Sequence, residues 1–260
     1  MRGRAVIRAA FAGVLMELEP VQTGILGVNT WIVPLAGQAV FIVDPACSSL
    51  TGDENSVIDY VEQKGLVPVG IFLTHGHFDH VMGLKTLKEK WPSLPVAIHS
   101  EDVECIGKNS AFVQNKFLAA VGADEFEIVS CLSGLPDADI ILHDGASLDK
   151  YILPETIISA FAGAACAPDI EAVMNALSHW KVLHTPGHSK GSVCFYNDVE
   201  NVLISGDTVF YCSYGRTDLY GGDEIAIKKS LCHIMETLPK KTAVYPGHGS
   251  YGFTLESNFY

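Results

Sequence analysis

The run Thr74-His75-Gly76-His77-Phe78-Asp79-His80 constrains this chain more than any other feature. Three imidazoles and a carboxylate fall between positions 75 and 80, directly after the apolar stretch Val69-Gly70-Ile71-Phe72-Leu73. That stretch is short and bounded by Pro68, which predicts a buried strand. The histidines therefore leave a strand end, where a rigid sheet can aim several side chains at one point. Neutral imidazole nitrogens and carboxylate oxygens suit zinc or iron, and such ions need ligands on fixed backbone. Taken singly, each histidine reads as a surface residue. Asp79 alone would read as the N-terminal carboxylate of the helix that Val81, Leu84, Leu87 and Lys88 predict. Together, at one strand end, they predict a metal centre.

Hydrophobic residues make up 48% of the 260 positions and charged residues 18%, the balance of a globular chain with a sizeable core. Residues 21–260 are read as a single domain. A formal net charge of −13, from 17 basic and 30 acidic residues, repels phosphate backbones and argues against a nucleic-acid partner. The seven cysteines are scattered, odd in number and without a C-x-x-C pair, which fits reduced thiols in a cytoplasmic protein. No apolar run is long enough for a membrane span. Residues 1–20 are read as an N-terminal extension. Arg2, Arg4 and Arg8 before Ala9 to Met16 loosely imitate a secretory signal, but no small-x-small site follows. Met16 is an alternative natural start.

Strands are predicted at Val28 to Val33, Ala39 to Val43, Val96 to Ile98 and Ile140 to Leu142. A helix with Val57, Ile58 and Val61 on its apolar face should be capped by Thr51 or Asp53. Another is predicted across residues 100–124. The region 154–179 is read as an insertion that packs or forms a flap, with a helix around Ile170 to Leu177. Three later segments repeat the design of the histidine run, an apolar strand entering a glycine-containing turn. They are Lys181-Val182-Leu183-His184-Thr185-Pro186-Gly187-His188, Asn201-Val202-Leu203-Ile204-Ser205-Gly206-Asp207, and Thr242-Ala243-Val244-Tyr245-Pro246-Gly247-His248-Gly249. An amphipathic helix is predicted between the last two, from Glu224 to Leu238.

In this order the motifs resemble the metallo-β-lactamase fold superfamily. The resemblance implies an α/β fold, a four-layer αββα sandwich with its metal site at one edge. It also implies that His75, His77 and His188 hold one metal, that Asp79, His80 and His248 hold a second, and that Asp207 bridges them. Gly206-Asp207-Thr208-Val209-Phe210, Gly215-Arg216-Thr217-Asp218-Leu219 and Gly221-Gly222-Asp223 resemble the glyoxalase II-like branch. So does the tail from Pro246 through Thr254, Glu256, Asn258 and Phe259. True β-lactamases of this fold usually lack the His80 equivalent as a ligand and often carry Cys at the place of Asp207, which disfavours antibiotic hydrolysis. The chain stops soon after His248, without the C-terminal helical domain that helps classical glyoxalase II bind glutathione. Tyr220 stands where the small relatives commonly have Pro.

The resemblance implies two divalent ions, zinc foremost with iron or manganese as alternatives. It implies a bridging hydroxide, formed from a water whose pKa falls to about 7, that attacks a small thioester such as an acylglutathione. Asp79 would orient that nucleophile and Asp207 would set the metal spacing, so both count as catalytic. Arg216 either binds a carboxylate of the carrier thiol or pairs with Asp218 or Asp223. Tyr214 and Tyr211 either line the pocket or pack their loop, and His184 is a candidate partner behind the ligands. Competing readings are a mononuclear iron oxygenase of the persulfide dioxygenase type using His75, His188 and Asp207, a phosphodiesterase, and a non-catalytic metal-stabilised scaffold. The expected partner is a small-molecule thioester, with no nucleic acid and no membrane. Oligomeric state is left open.

Overall fold

The computed structural model describes residues 18–108, 110–121, 128 and 131–258. The readings made for residues 1–17, for residues 122–124 and for Phe259 lie outside them.

The sequence lays down two sheets in succession. The first is six-stranded, in the order β1 (Pro20–Thr23), β2 (Val28–Pro34), β3 (Ala39–Val43), β4 (Val67–Phe72), β5 (Val96–His99) and β6 (Ile140–Leu142). Its first three strands are antiparallel neighbours, and from β3 onward the pairing is parallel. The parallel crossovers carry helices α1 (Ser56–Gln63), α2 (Phe78–Val81), α3 (Leu84–Lys90) and α4 (Ser110–Val121). Next come α5 (Pro154–Ala160) and α6 (Ile170–Ser178), then β7 (Trp180–His184), β8 (Val193–Asn197) and β9 (Val202–Gly206). A short hairpin of β10 (Val209–Phe210) and β11 (Ser213–Tyr214) precedes α7 (Glu224–Thr237). The chain then runs through β12 (Ala243–Pro246), β13 (Phe253–Thr254) and α8 (Leu255–Asn258). The second sheet is ordered β13-β12-β9-β8-β7.

Successive residues of a strand face opposite sides of the sheet, and that alternation sorts the core into layers. Phe41 and Val43 of β3 face Val193 and Phe195 of β8 and Val202 and Ile204 of β9 between the sheets, while Val40 and Ile42 face Val57, Val61 and Leu84 of the helices. On the far side, Cys194, Tyr196 and Leu203 pack on Ile234 of α7. The edge-on ring pairs Phe41–Trp180 and Phe72–Phe195, with centroids 5.2 and 5.9 Å apart, lock the two sheets together. The result is the expected αββα sandwich.

Several local expectations change. Helix α1 begins after Asn55 rather than at a Thr51 or Asp53 cap, because the Asp53 carboxylate accepts from Ser48 N and Gly24 N instead. The helix expected across residues 100–124 is broken. A 3₁₀ turn at Ser100–Cys105 ends before Gly107, whose φ of +82° stops helix propagation. His77, not Asp79, stands at the N-cap of α2. In the 154–179 region Ile157, Phe161, Val173 and Leu177 enter the core between the sheets, so this stretch packs. All seven cysteines are free. No helix of the described residues is long and apolar enough to cross a membrane.

Candidate metal centre

Every candidate ligand follows the C-terminal end of a strand. Residues 74–80 leave β4, the turn to His188 leaves β7, Asp207 leaves β9 and His248 leaves β12. Strands of both sheets end at the same edge, so loops far apart in sequence converge there. Tight backbone makes the approach possible. A Cβ on Gly247 would strike Asp207 Oδ1, and one on Gly215 would strike the Asp207 carbonyl.

His75, His77 and His188 form the first group, with ring centroids 4.4–4.8 Å apart and ligating nitrogens within 4.8 Å of one another. All three are buried, and the Nε2 atom of each has no hydrogen-bond partner, nor does Asp207 Oδ1. The opposite ring nitrogens explain why Nε2 is the free atom. His75 Nδ1 lies 3.0 Å from Thr74 Oγ1, whose own proton goes to Asp44 Oδ2. His188 Nδ1 lies 2.8 Å from the Arg216 carbonyl, which can only accept. Both Nδ1 atoms must therefore carry the proton, leaving a lone pair on Nε2. Burial, reinforced by the neighbouring imidazoles, holds His75 and His77 well below the usual histidine range, so they are neutral. Buried acceptors with no donor are costly, and a cation is what such a set accommodates.

Asp79, His80 and His248 form the second group. His80 Nδ1 donates to Asp44 Oδ2 at 3.0 Å, and His248 Nδ1 donates to the Leu26 carbonyl at 3.3 Å. Their Nε2 atoms meet 3.2 Å apart, and Asp79 Oδ2 lies 3.2 Å from His248 Nε2. Burial alone would lower the His80 pKa, but Asp79, Asp207 and Asp44 together push it up to about 10. Burial likewise opposes the Asp79 charge, and His80 with His248 overcomes it, holding that carboxyl well below its usual range. Asp207 spans the groups: Oδ2 is 3.5 Å from His188 Nε2 and 3.6 Å from His248 Nε2, and Oδ1 is 3.5 Å from His80 Nε2. The seven residues predicted as ligands thus meet at one place.

Two further carboxylates were not picked out from the sequence as site residues. Asp44, one step past β3 at a φ of +51°, accepts from Thr74 N, Thr74 Oγ1 and His80 Nδ1. A carboxylate directly after a fully buried strand was a readable signal, since it must find donors. Asp102 accepts from Gly76 N at 3.0 Å, Ser189 Oγ at 2.6 Å and Gly191 N at 2.8 Å, tying the loop of His75 and His77 to that of His188. In the sequence it is one of several acids in Glu101-Asp102-Val103-Glu104, and nothing there distinguishes it.

The remaining candidates sit differently. Arg216 forms a bidentate pair with Asp218, at 2.7 and 2.8 Å, and reaches the centre through its carbonyl. The Tyr214 hydroxyl donates to Glu224 at 2.9 Å, and Tyr211 packs edge-on against Phe253. His184 stacks on His99 at 4.1 Å and binds the Lys190 carbonyl.

Comparison with known proteins adds an independent line. The family described as the Metallo-beta-lactamase superfamily matches residues 23–248. The protein called probable metallo-hydrolase YqgX, from Bacillus subtilis (strain 168), is 30% identical over 83% of this chain and 86% of its own length. Among solved structures, BLEG-1 B3 metallo-beta-lactamase superposes with a TM-score of 0.70 and 27% identity, covering 93% of this chain and 95% of that one. TTHA1623, solved in a di-iron-bound form, superposes with a TM-score of 0.65 and 29% identity, covering 92% and 95%.

Proposed function

This chain belongs to the metallo-β-lactamase superfamily, and on that premise we propose that it is a dinuclear metal-dependent hydrolase of a small thioester, in the glyoxalase II-like branch. The observation that carries the reading is the set of unpartnered acceptors, Nε2 of His75, His77 and His188 with Asp207 Oδ1, beside a second group built around carboxylates. His75, His77 and His188 would hold one cation and Asp79, His80 and His248 the other. Asp207, with an oxygen toward each group, would bridge them. A mixed imidazole and carboxylate donor set fits zinc first, with iron or manganese as alternatives. The di-iron form of TTHA1623 supports the iron option. Bound divalent ions supply Lewis acidity and a water that ionises near neutral pH.

The protein's own residues do the remaining work. The protons fixed on Nδ1 of His75 and His188 keep their Nε2 lone pairs facing inward. The outer Nδ1 hydrogen bonds of His80 and His248 would leave Nε2 as the ligating atom of each once a cation displaced the proton they share. Asp79, buried and held as a carboxylate, would orient the attacking water by accepting its hydrogen bond. Water adds to the thioester carbonyl carbon, the C–S bond breaks, and the thiol leaves with a proton. Phe117, edge-on to His77 at 4.4 Å, closes one flank of the site with an apolar wall.

Metal analysis of purified protein, coupled to a panel of acyl thioesters, phosphodiesters, β-lactams and glutathione persulfide, tests the reading. Near two metals per chain with thioester turnover that a chelator abolishes is the expected result. Near one iron per chain with persulfide oxidation would overturn it. Preferential β-lactam cleavage, the reading that the likeness to BLEG-1 favours, would overturn the substrate assignment.

A further inference from the structure

We propose that Gln114, buried in α4, is a positioning residue that fixes the peptide link between His75 and His77 and so sets how the two meet a cation, a role that rests on the reading of both histidines as ligands.

Residues 75–77 belong to no strand or helix, so no ladder of backbone hydrogen bonds holds the link between the two imidazoles. The N–H and carbonyl of Gly76 must find partners elsewhere. Both partners are side chains. Asp102 Oδ2 accepts from Gly76 N at 3.0 Å, and Gln114 Nε2 donates to the Gly76 carbonyl at 2.8 Å. The same amide nitrogen donates to the Cys105 carbonyl at 2.6 Å, and the Cys105 side chain fills the space that a Cβ on Gly76 would need. Gly76 is thus gripped on its N–H, on its carbonyl and on its open face. Gln114 ties it to the end of the 3₁₀ turn Ser100–Cys105, the turn that carries Asp102. The direction of the His77 side chain depends on the plane of the peptide before it, and Gln114 holds that plane by its oxygen.

Packing alone gives no reason for a glutamine here. Gln114 is fully buried, and Val113, Phe117 and Leu118 beside it on α4 lie in the apolar core. Its Oε1 is buried with no hydrogen-bond partner among the described residues. Turning the amide over would set that oxygen against two carbonyls, so the two acceptors fix its orientation. A leucine or methionine would fill the volume without an orphaned acceptor, and what the amide adds is its pair of N–H groups. Phe117 lies edge-on to His77 at 4.4 Å. Positions three apart share a helix face, so α4 meets the link through Gln114 and the ligand beyond it through Phe117.

The test grades the donors at position 114. Gln114→Met keeps length and bulk and removes both donors. Gln114→Glu, kept neutral by burial, retains one. Leu118→Ala opens a cavity in the same helix and leaves the grip on Gly76 in place. Titration with a chromophoric competitor measures affinity for cobalt(II), and the visible absorption of the bound ion reports its ligand geometry. Gln114→Met should weaken the tighter equivalent about tenfold to a hundredfold and alter the cobalt spectrum. Gln114→Glu should fall between it and wild type. Leu118→Ala should lower Tm with wild-type affinity and spectrum. Wild-type affinity and spectrum in either Gln114 variant overturn the proposal, as does an equal loss of affinity in Leu118→Ala. The two readings fail separately. A Gln114-dependent affinity without cleavage of any thioester would sink the hydrolase reading and leave the positioning role standing. Thioester cleavage by a protein whose cobalt affinity ignores Gln114 would do the reverse.

Discussion

The two halves of the centre are built on opposite principles. Burial holds His75 and His77 neutral, and with His188 they are nearly free of solvent and bring their ligating nitrogens within 4.8 Å of one another. Asp79, His80 and His248 carry charge of both signs, touch at 3.2 Å, and leave the His248 side chain 24% exposed. The first group is held by burial and by hydrogen bonds on its outer nitrogens, and gains nothing internally until a cation arrives. The second satisfies itself through a shared proton and ion pairs. A cation therefore completes the first group, whereas in the second it replaces an arrangement that already works.

Loss of the residue common to both groups should have the largest effect. Asp207→Ala should lower metal content from near two per chain to well under one and reduce activity at least about a hundredfold. Metal analysis and initial rates check this, and full metal content with retained activity would remove Asp207 from its bridging place.

Metal removal separates the halves. Each orphaned buried acceptor costs about 1–3 kcal/mol, and in a chain this long 1 kcal/mol shifts Tm by roughly 2–4 °C. Stripping metal from three or four such acceptors should thus lower Tm by at least about 6–8 °C. That drop should largely vanish in His77→Ala and largely persist in His248→Ala. Equal behaviour of the two variants would erase the contrast between the groups.

The outer carboxylates sharpen it further. Asp102 braces the first group and Asp44 the second, though Asp44 also reaches His75 through Thr74. Asp44→Asn would turn an amide donor either toward Thr74 N or, in the other orientation, toward both His80 Nδ1 and Thr74 Oγ1. Toward His80 it would move the imidazole proton to the nitrogen that faces the centre. Asp102→Asn would leave at least one of its three donors unmatched. Each should weaken metal binding about 10–100-fold. Asp102→Asn should act first on the tighter equivalent and Asp44→Asn on the weaker, as read by titration with a chromophoric competitor.

The seven candidate ligands were legible because strand-then-turn motifs with a histidine or aspartate in the turn are local patterns. The layering follows from the family that those motifs resemble rather than from the strands themselves, and β8, which no motif marks, is absent from the sequence reading. What escaped reading depends on partners far away in the chain. Asp53 looks like a helix cap until Gly24 and Ser48 take its oxygens. Asp102 looks like any exposed acid until Gly76, Ser189 and Gly191 surround it.

The smallest effect is expected where the sequence pointed most directly to substrate. The Arg216 guanidinium is about half exposed and paired with an exposed Asp218, and such surface pairs contribute little to stability. What the centre takes from position 216 is a carbonyl oxygen, which any residue supplies. Arg216→Ala should therefore keep its metal, change Tm by no more than about 2 °C, and leave KM for an acyl thioester nearly unchanged. Gly215→Ala, one residue earlier, should lose metal, because its Cβ would run into the Asp207 carbonyl. A rise in KM of about tenfold for Arg216→Ala, with metal content kept, would instead give the Arg216 side chain a direct part in holding substrate.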